Sequence, residues 1–204
     1  VSGNVSFYNG TNKKNIFPTP VIGGVGLISK STKKINHKLK NENSYIILVG
    51  KTFGHLDQSC YLKENFSIIE GNPPDTNLQN EKNNGELVFK LIKLGLIRSA
   101  HDVSNGGLIV ALSEMAMGSE YGLKIDKPKK LQNLIEYFFG EDQGRYVIEI
   151  SNSNLDQIIK ILEDDNIYFE NIGKTQKDFF EVEGELKLDI NDLFKINNTW
   201  YNKY

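Results

Sequence analysis

One cysteine, three histidines and two arginines are all that the 204 residues offer of the side chains most used for covalent catalysis, metal capture and phosphate clamping. Cys60 is alone, so no disulfide forms within the chain, and a reducing, cytoplasmic setting is expected. No neighbour in sequence would activate its thiol, so a catalytic cysteine is not expected. His37, His55 and His101 are far apart and lack ligand spacing, which argues against zinc. No apolar run approaches the ~18 residues of a helical membrane span, and no secretory leader pattern is visible. The net charge of −2 and scattered lysines argue against a dedicated nucleic-acid binder. One basic stretch, Lys30 to Lys40, reads as a solvated linker. The start at Val1, inside a motif rather than at Met, leads us to expect a piece of a longer polypeptide.

What is present is an ordinary globular mixture, 39% hydrophobic and 25% charged. Residues 1–28 hold two strand-like runs, Asn4–Tyr8 and Pro20–Ile28. The second, VIGGVGLI, is glycine-rich but opens no helix, so its glycines suit close packing better than a phosphate cradle. Residues 29–44 read as a linker. The GKT at residues 50–52 is not a P-loop, because Tyr45 stands where that motif needs glycine. Beyond it, apolar periods predict strands at 45–50, 98–103, 121–125, 145–150, 167–174 and 179–188, the last a hairpin around Gly184. They predict helices at 86–96, 108–115, 131–139, 154–163 and 189–196. Alternation of the two argues for an α/β (α+β) fold with a mixed sheet covered by helices.

Three strings carry chemistry. In VSGNVSFYN, Gly3 lets a ligand approach the backbone, Asn4 offers a carbonyl oxygen suited to Mg²⁺, and Ser6 shares Asn4's strand face. A polar strand end with a glycine bulge is the plainer reading. In SAHDVSNGG, Asp102 and Ser104 end a strand and a Gly-Gly pair opens a helix, a setting that favours an anion or Mg–nucleotide. Ser104 or Asn105 serving only as the helix cap is the alternative. A Ser–His–Asp hydrolase is excluded, because these residues are too close along one strand and His101 points away from Asp102. In GEDQGR, Glu141 and Asp142 are metal candidates, and Gln143 and Arg145 are phosphate or ribose candidates. The alternative there is a helix end at Gly140 with an Arg–carboxylate bridge.

In this order, the three strings resemble the C-terminal part of phosphoribosylformylglycinamidine synthase, in its small, multi-subunit bacterial form, across nearly the whole chain. The resemblance implies a C-terminal domain like that of aminoimidazole ribonucleotide synthetase. Residues 1–28 would end the second nucleotide-binding sheet domain, 29–44 would link, and 45–204 would form the second synthetase-type α/β domain. It implies a cytoplasmic, ATP- and Mg²⁺-dependent ligase of purine biosynthesis that acts on formylglycinamide ribonucleotide (FGAR). Its partners would be a glutaminase subunit, a small bridging subunit and the preceding part of the same polypeptide. Gly3 matches an ATP contact, Asn4 a magnesium ligand and Ser6 a substrate contact. Asp102, Ser104, Gln143 and Arg145 match an auxiliary nucleotide and Mg²⁺ site. The family's catalytic histidines lie upstream, so no catalytic residue and no activity of its own are expected here. The family pattern departs at Leu56–Cys60, where Gly-Gly-Ser is usual, and at Asn105, where Asp is usual. Related synthetases of the same superfamily and a non-catalytic nucleotide-binding or assembly module are the other readings.

Overall fold

The computed structural model describes residues 10–11, 14–15, 23–28, 33–128 and 133–200. The chain divides into two compact units, Val1–Thr32 and Lys33–Tyr204. In the first, β1 (Gly10–Thr11) pairs antiparallel with β2 (Lys14–Asn15). The strand expected over Pro20–Ile28 is not seen in its described part: residues 23–28 have no regular structure, and Val25 and Leu27 are fully exposed. Gly3, Asn4 and Ser6 lie outside the described residues.

In the second unit the order is β3 (Tyr45–Val49), α1 (Cys60–Phe66), α2 (Leu78–Leu94), β4 (Ile97–Val103), α3 (Gly107–Ala116) and β5 (Gly122–Ile125). Then come α4 (Leu134–Phe139), β6 (Arg145–Ile150), α5 (Leu155–Asp164), β7 (Phe169–Gln176), β8 (Phe179–Val182), β9 (Leu186–Asp189) and α6 (Ile190–Thr199). The strands form one sheet in the order β4-β6-β3-β7-β5-β8-β9, antiparallel except for the parallel pair β5–β8. This is the mixed, helix-covered sheet that the alternating pattern predicts.

Period-two burial explains the layers. In β3, Ile46 and Leu48 face one cluster and Ile47 and Val49 the other, all fully buried. Leu108, Leu112 and Met115 of α3, with Tyr137 and Phe138 of α4, cover the first face. Leu87, Val88 and Leu91 of α2, with Ile158 and Leu162 of α5, cover the second. Each fully buried side chain of this size contributes about 1.5–3 kcal/mol, so the sheet is a firm base for the loops at its ends.

Three local features differ from the sequence expectation. Residues 33–44 are not a free linker but a strap on the second unit. Leu39 is buried and its N–H donates to the Met115 carbonyl at 3.2 Å. The Lys40 and Asn41 N–H groups donate to the buried Glu149 carboxylate at 2.9 and 3.1 Å. A lysine-rich composition conceals these backbone anchors. Helix α2 begins eight residues earlier than its apolar period, because Asn77 Oδ1 caps it by accepting from the Asn80 N–H at 3.0 Å. Helix α1 buries none of its residues, so no apolar stripe marks it.

Candidate functional site

Register brings two of the three motifs together. β4 and β6 run antiparallel with Asp102 opposite Tyr146 and Val103 opposite Arg145. The turn after β4, residues 104–107, therefore stands at the same end of the sheet as the loop before β6, residues 140–144. β3 leaves the sheet there too. Gly50 has φ +94°, and a Cβ on it would lie 2.8 Å from the Gly144 carbonyl oxygen, so glycine permits this close approach.

Arg145 lies beneath these loops and does not face out. It is 1% exposed; its Nε donates to the Asp142 carbonyl at 3.1 Å, Nη1 to Thr52 Oγ1 at 3.1 Å and Nη2 to the Gly140 carbonyl at 2.6 Å. Burial pulls its guanidinium below the ordinary value, opposed by Asp142, Tyr137 and Glu170. The sequence reading aimed Arg145 at a phosphate or ribose; the structure corrects this, because its planar fork is engaged by backbone carbonyls and a hydroxyl. Arg145 would act on a ligand only through the loops it holds.

The neighbouring carboxylates are also engaged. Asp142, 4% exposed, accepts from the N–H groups of Phe53 and Gly54 at 2.9 Å each and of His55 at 3.2 Å. Glu141 Oε1 accepts from the Cys60 N–H at 2.7 Å and the Gly106 N–H at 2.8 Å. Their expected role as metal ligands gives way to these bonds, since converging N–H dipoles that attract a carboxylate repel a cation. Among the described residues, no group of three or more His, Cys, Asp or Glu side chains is placed to hold a metal. Gln143 is exposed, with Nε2 3.3 Å from the Glu141 carbonyl.

At the end of β4 the motif stays open to solvent. The Asp102 side chain is about two-thirds exposed, and its Oδ1 lies 3.4 Å from His101 Nδ1. Strand parity puts the two on opposite faces, and the 3.4 Å approach of their side chains corrects the expectation that His101 points away from Asp102. His101 Nε2 lies 2.9 Å from Glu114 Oε2, and its ring lies 5.3 Å from that of His37. Burial first, then His101, lowers the His37 pKa. Ser104 and Asn105 are exposed, and neither side chain caps α3; Gly106, at φ +81°, is the cap residue. The simple capping alternative is thus not what forms.

The loop from Gly50 to Cys60 closes the arrangement. Gln58 takes a left-handed φ of +59°, and Ser59 Oγ caps α1 by accepting from the Leu62 N–H at 3.3 Å. Burial, then Glu141, pushes the Cys60 thiol up, away from nucleophilic character. On the other side of this loop is a cleft of about 1350 Å³, lined by Lys51, Phe53, His55, Asn77, Gln143 and Tyr168 among others. Sequence reasoning missed one structural acceptor, Glu149, and gave another, Asp142, a metal role in place of the backbone N–H groups it accepts from. A carboxylate within the apolar run YVIEI was the available signal for Glu149; for Asp142 it was the GEDQGR motif itself.

These elements define the class: a mixed-sheet α/β domain with helices on both faces and a net of loops at one sheet end. The family model described as AIR synthase related protein, C-terminal domain, matches residues 41–184. The chain belongs to that family. Among curated relatives, the phosphoribosylformylglycinamidine synthase subunit PurL of Pelagibacter ubique is 46% identical over 204 residues, covering 100% of this chain and 28% of its own length. The subunit of the same name from Rhodopseudomonas palustris is 39% identical with the same coverage. The chain thus spans 28% of the length of these relatives. Among solved structures, T. maritima PurL complexed with FGAR superposes with a TM-score of 0.64 at 15% identity, over 78% of this chain and 29% of that one. This last likeness is one of fold.

Proposed function

We propose that the chain is the C-terminal part of a phosphoribosylformylglycinamidine synthase subunit, an ATP-dependent C–N ligase of purine biosynthesis. The observation that carries this is the match of its entire length to curated subunits of that enzyme, at 46% and 39% identity. Structures of T. maritima PurL complexed with ATP and with FGAR, and one of PurLQS, support the nucleotide, the substrate and a multi-subunit assembly. In the reaction, the glycinamide carbonyl oxygen of FGAR takes the terminal phosphoryl group of ATP and becomes part of a leaving group, while the formyl group is left unchanged. Ammonia then adds at the amide carbon, and phosphate departs with that oxygen, leaving the amidine and ADP.

In this reading the preceding polypeptide carries the proton-transfer groups, and a glutaminase subunit and a small bridging subunit supply ammonia in the cytoplasm. Gly3 lies against ATP, Asn4 gives an oxygen to Mg²⁺ and Ser6 contacts FGAR. Asp102, Ser104 and Gln143 form an auxiliary nucleotide site, with Arg145 supporting it through Thr52 and Gly140. The described residues form no metal site on their own, so Mg²⁺ there would draw its other ligands from phosphate oxygens or the preceding polypeptide.

The test is a pair of variants in the full-length subunit. Asn4→Ala is expected to lower kcat at least about 10-fold, the scale of losses around metal sites. Asn105→Asp, which restores the usual family residue, is expected to stay near wild type. Steady-state assays with ammonium as nitrogen donor check this; equal losses from both variants would remove the metal role from Asn4.

A further inference from the structure

The turn carrying Ser104 packs at Gly107 against the end of α4 and is tied by hydrogen bonding through one atom of another element. Among the described residues, its hydrogen bond to another element is that from the Gly106 N–H to Glu141 Oε1, at 2.8 Å. The same oxygen accepts from the Cys60 N–H at the start of α1, at 2.7 Å. The Glu141 N–H donates to the His55 carbonyl at 2.9 Å. Segments leaving β3, leaving β4 and entering β6 thus meet at one residue. Asp142 holds only residues 53–55 of the first segment.

We propose that Glu141 is the positioning residue of the Asp102–Ser104 nucleotide site. This rests on the auxiliary-site reading above and gives it a mechanism. Glu141 sets the 104–107 turn against the start of α1, so that Ser104 and the turn's backbone meet a phosphorylated ligand in a fixed place. It acts through the turn, since its oxygen is engaged by two backbone N–H groups. Three substitutions separate this role from that of a metal ligand. Glu141→Gln keeps a carbonyl oxygen at the same reach, although without charge its bonds are weaker. Glu141→Asp keeps the charge but shortens the reach by one C–C bond, about 1.5 Å. Glu141→Ala removes the bridge. A bridging role ranks them Glu, then Gln, then Asp and Ala together. A metal ligand would place Asp above Gln.

The experiment is a set of thermal melts of the full-length subunit with and without Mg–ADP. A ligand that binds only the folded state stabilises it by RT ln(1 + [L]/Kd), so at a fixed ligand concentration a weaker Kd gives a smaller rise in Tm. The wild type and Glu141→Gln are expected to show the Mg–ADP shift. Glu141→Asp and Glu141→Ala are expected to lose most of it, with titrations giving a Kd for Mg–ADP at least about 10-fold weaker, or 1.4 kcal/mol. Asn154→Ala is the stability control: it removes a 2.8 Å bond to the Leu96 carbonyl at the other end of the sheet. It is expected to lower the ligand-free Tm and keep the shift. A full shift in Glu141→Ala, a larger shift in Asp than in Gln, or a lost shift in Asn154→Ala overturns the proposal. A shift lost in Asp102→Asn but kept in Glu141→Ala sinks this inference alone. No shift in the wild type sinks the nucleotide reading and this inference with it.

Discussion

Replacing Asp142 by alanine is expected to destabilise the chain by about 3–5 kcal/mol, the range for removing one partner of a buried charge pair. Two losses add up. The Arg145 guanidinium, fully buried, has the Asp142 carboxylate 3.9 Å away as its ion-pair partner, and without it the buried charge keeps only its acceptor oxygens and the field of Glu170. The three N–H groups of Phe53, Gly54 and His55 also lose their acceptor, and an unmade buried hydrogen bond costs about 1–3 kcal/mol. Water reaching the partly exposed loop moderates the second loss. In a domain of this size each kcal/mol is worth about 2–4 °C, so the melting temperature is expected to fall by roughly 10 °C. Asp142→Asn, which keeps one acceptor oxygen, is expected to lose less. Urea and thermal melts of the chain check both; a loss below about 1 kcal/mol, the value of an ordinary hydrogen bond, would contradict the role given to this carboxylate.

Gly107→Ala is expected to be similarly damaging, for a reason unrelated to ligands. Gly107 has φ +72°, and left-handed backbone costs a side-chain-bearing residue about 1–2 kcal/mol. Its Cβ would also lie 2.7 Å from the Gly140 oxygen, 2.7 Å from the Phe139 carbonyl carbon and 2.8 Å from the Phe138 oxygen. These are backbone atoms at the end of α4, so relief requires parting α3 from α4, an overpacking cost of about 1–3 kcal/mol. Gly106 is the internal comparison. A Cβ there meets Val110, first Cγ2 and then Cβ at 3.0 Å, atoms of one side chain and not of another element's backbone. Gly106→Ala is therefore expected to destabilise less in the same melts, and equal losses would remove the packing explanation. The Gly-Gly pair that reads in sequence as an opening for a ligand is, at Gly107, a requirement of helix packing.

How far the sequence could be read depended on what each residue buries. β6 was legible to the residue, because Val147, Ile148 and Ile150 alternate in a strand buried on both faces. Helix α3 was legible because Leu108, Ala111, Leu112 and Met115 make one stripe. The first half of α2 was not, since its polar residues before Asn84 bury nothing and its start is a matter of one asparagine cap. The strap at 33–44 was hidden because its anchors are mostly backbone N–H groups, which have no sequence signature. The site divides in the same way. Asp102, Ser104 and Gln143 are exposed, whereas Arg145 is buried. Arg145 is one of two arginines in the chain, but rarity marks a planar fork and not its target, and here the target is internal. Whether a charged side chain near a loop faces outward or holds the loop from beneath depends on contacts more than 80 residues away along the chain, such as Thr52 with Arg145.

The central proposal is that this chain, which spans 28% of the length of its curated relatives, works as part of an FGAR-amidating ligase. The measurement that tests it most directly is a paired assay of the full-length subunit and the 204-residue chain, each given ATP, Mg²⁺, ammonium and FGAR, with ADP release and amidine formation followed together. FGAR-dependent turnover by the full-length subunit and none above background by the chain is the predicted result. Turnover by the chain alone, or a full-length subunit that releases no ADP in response to FGAR, would contradict it.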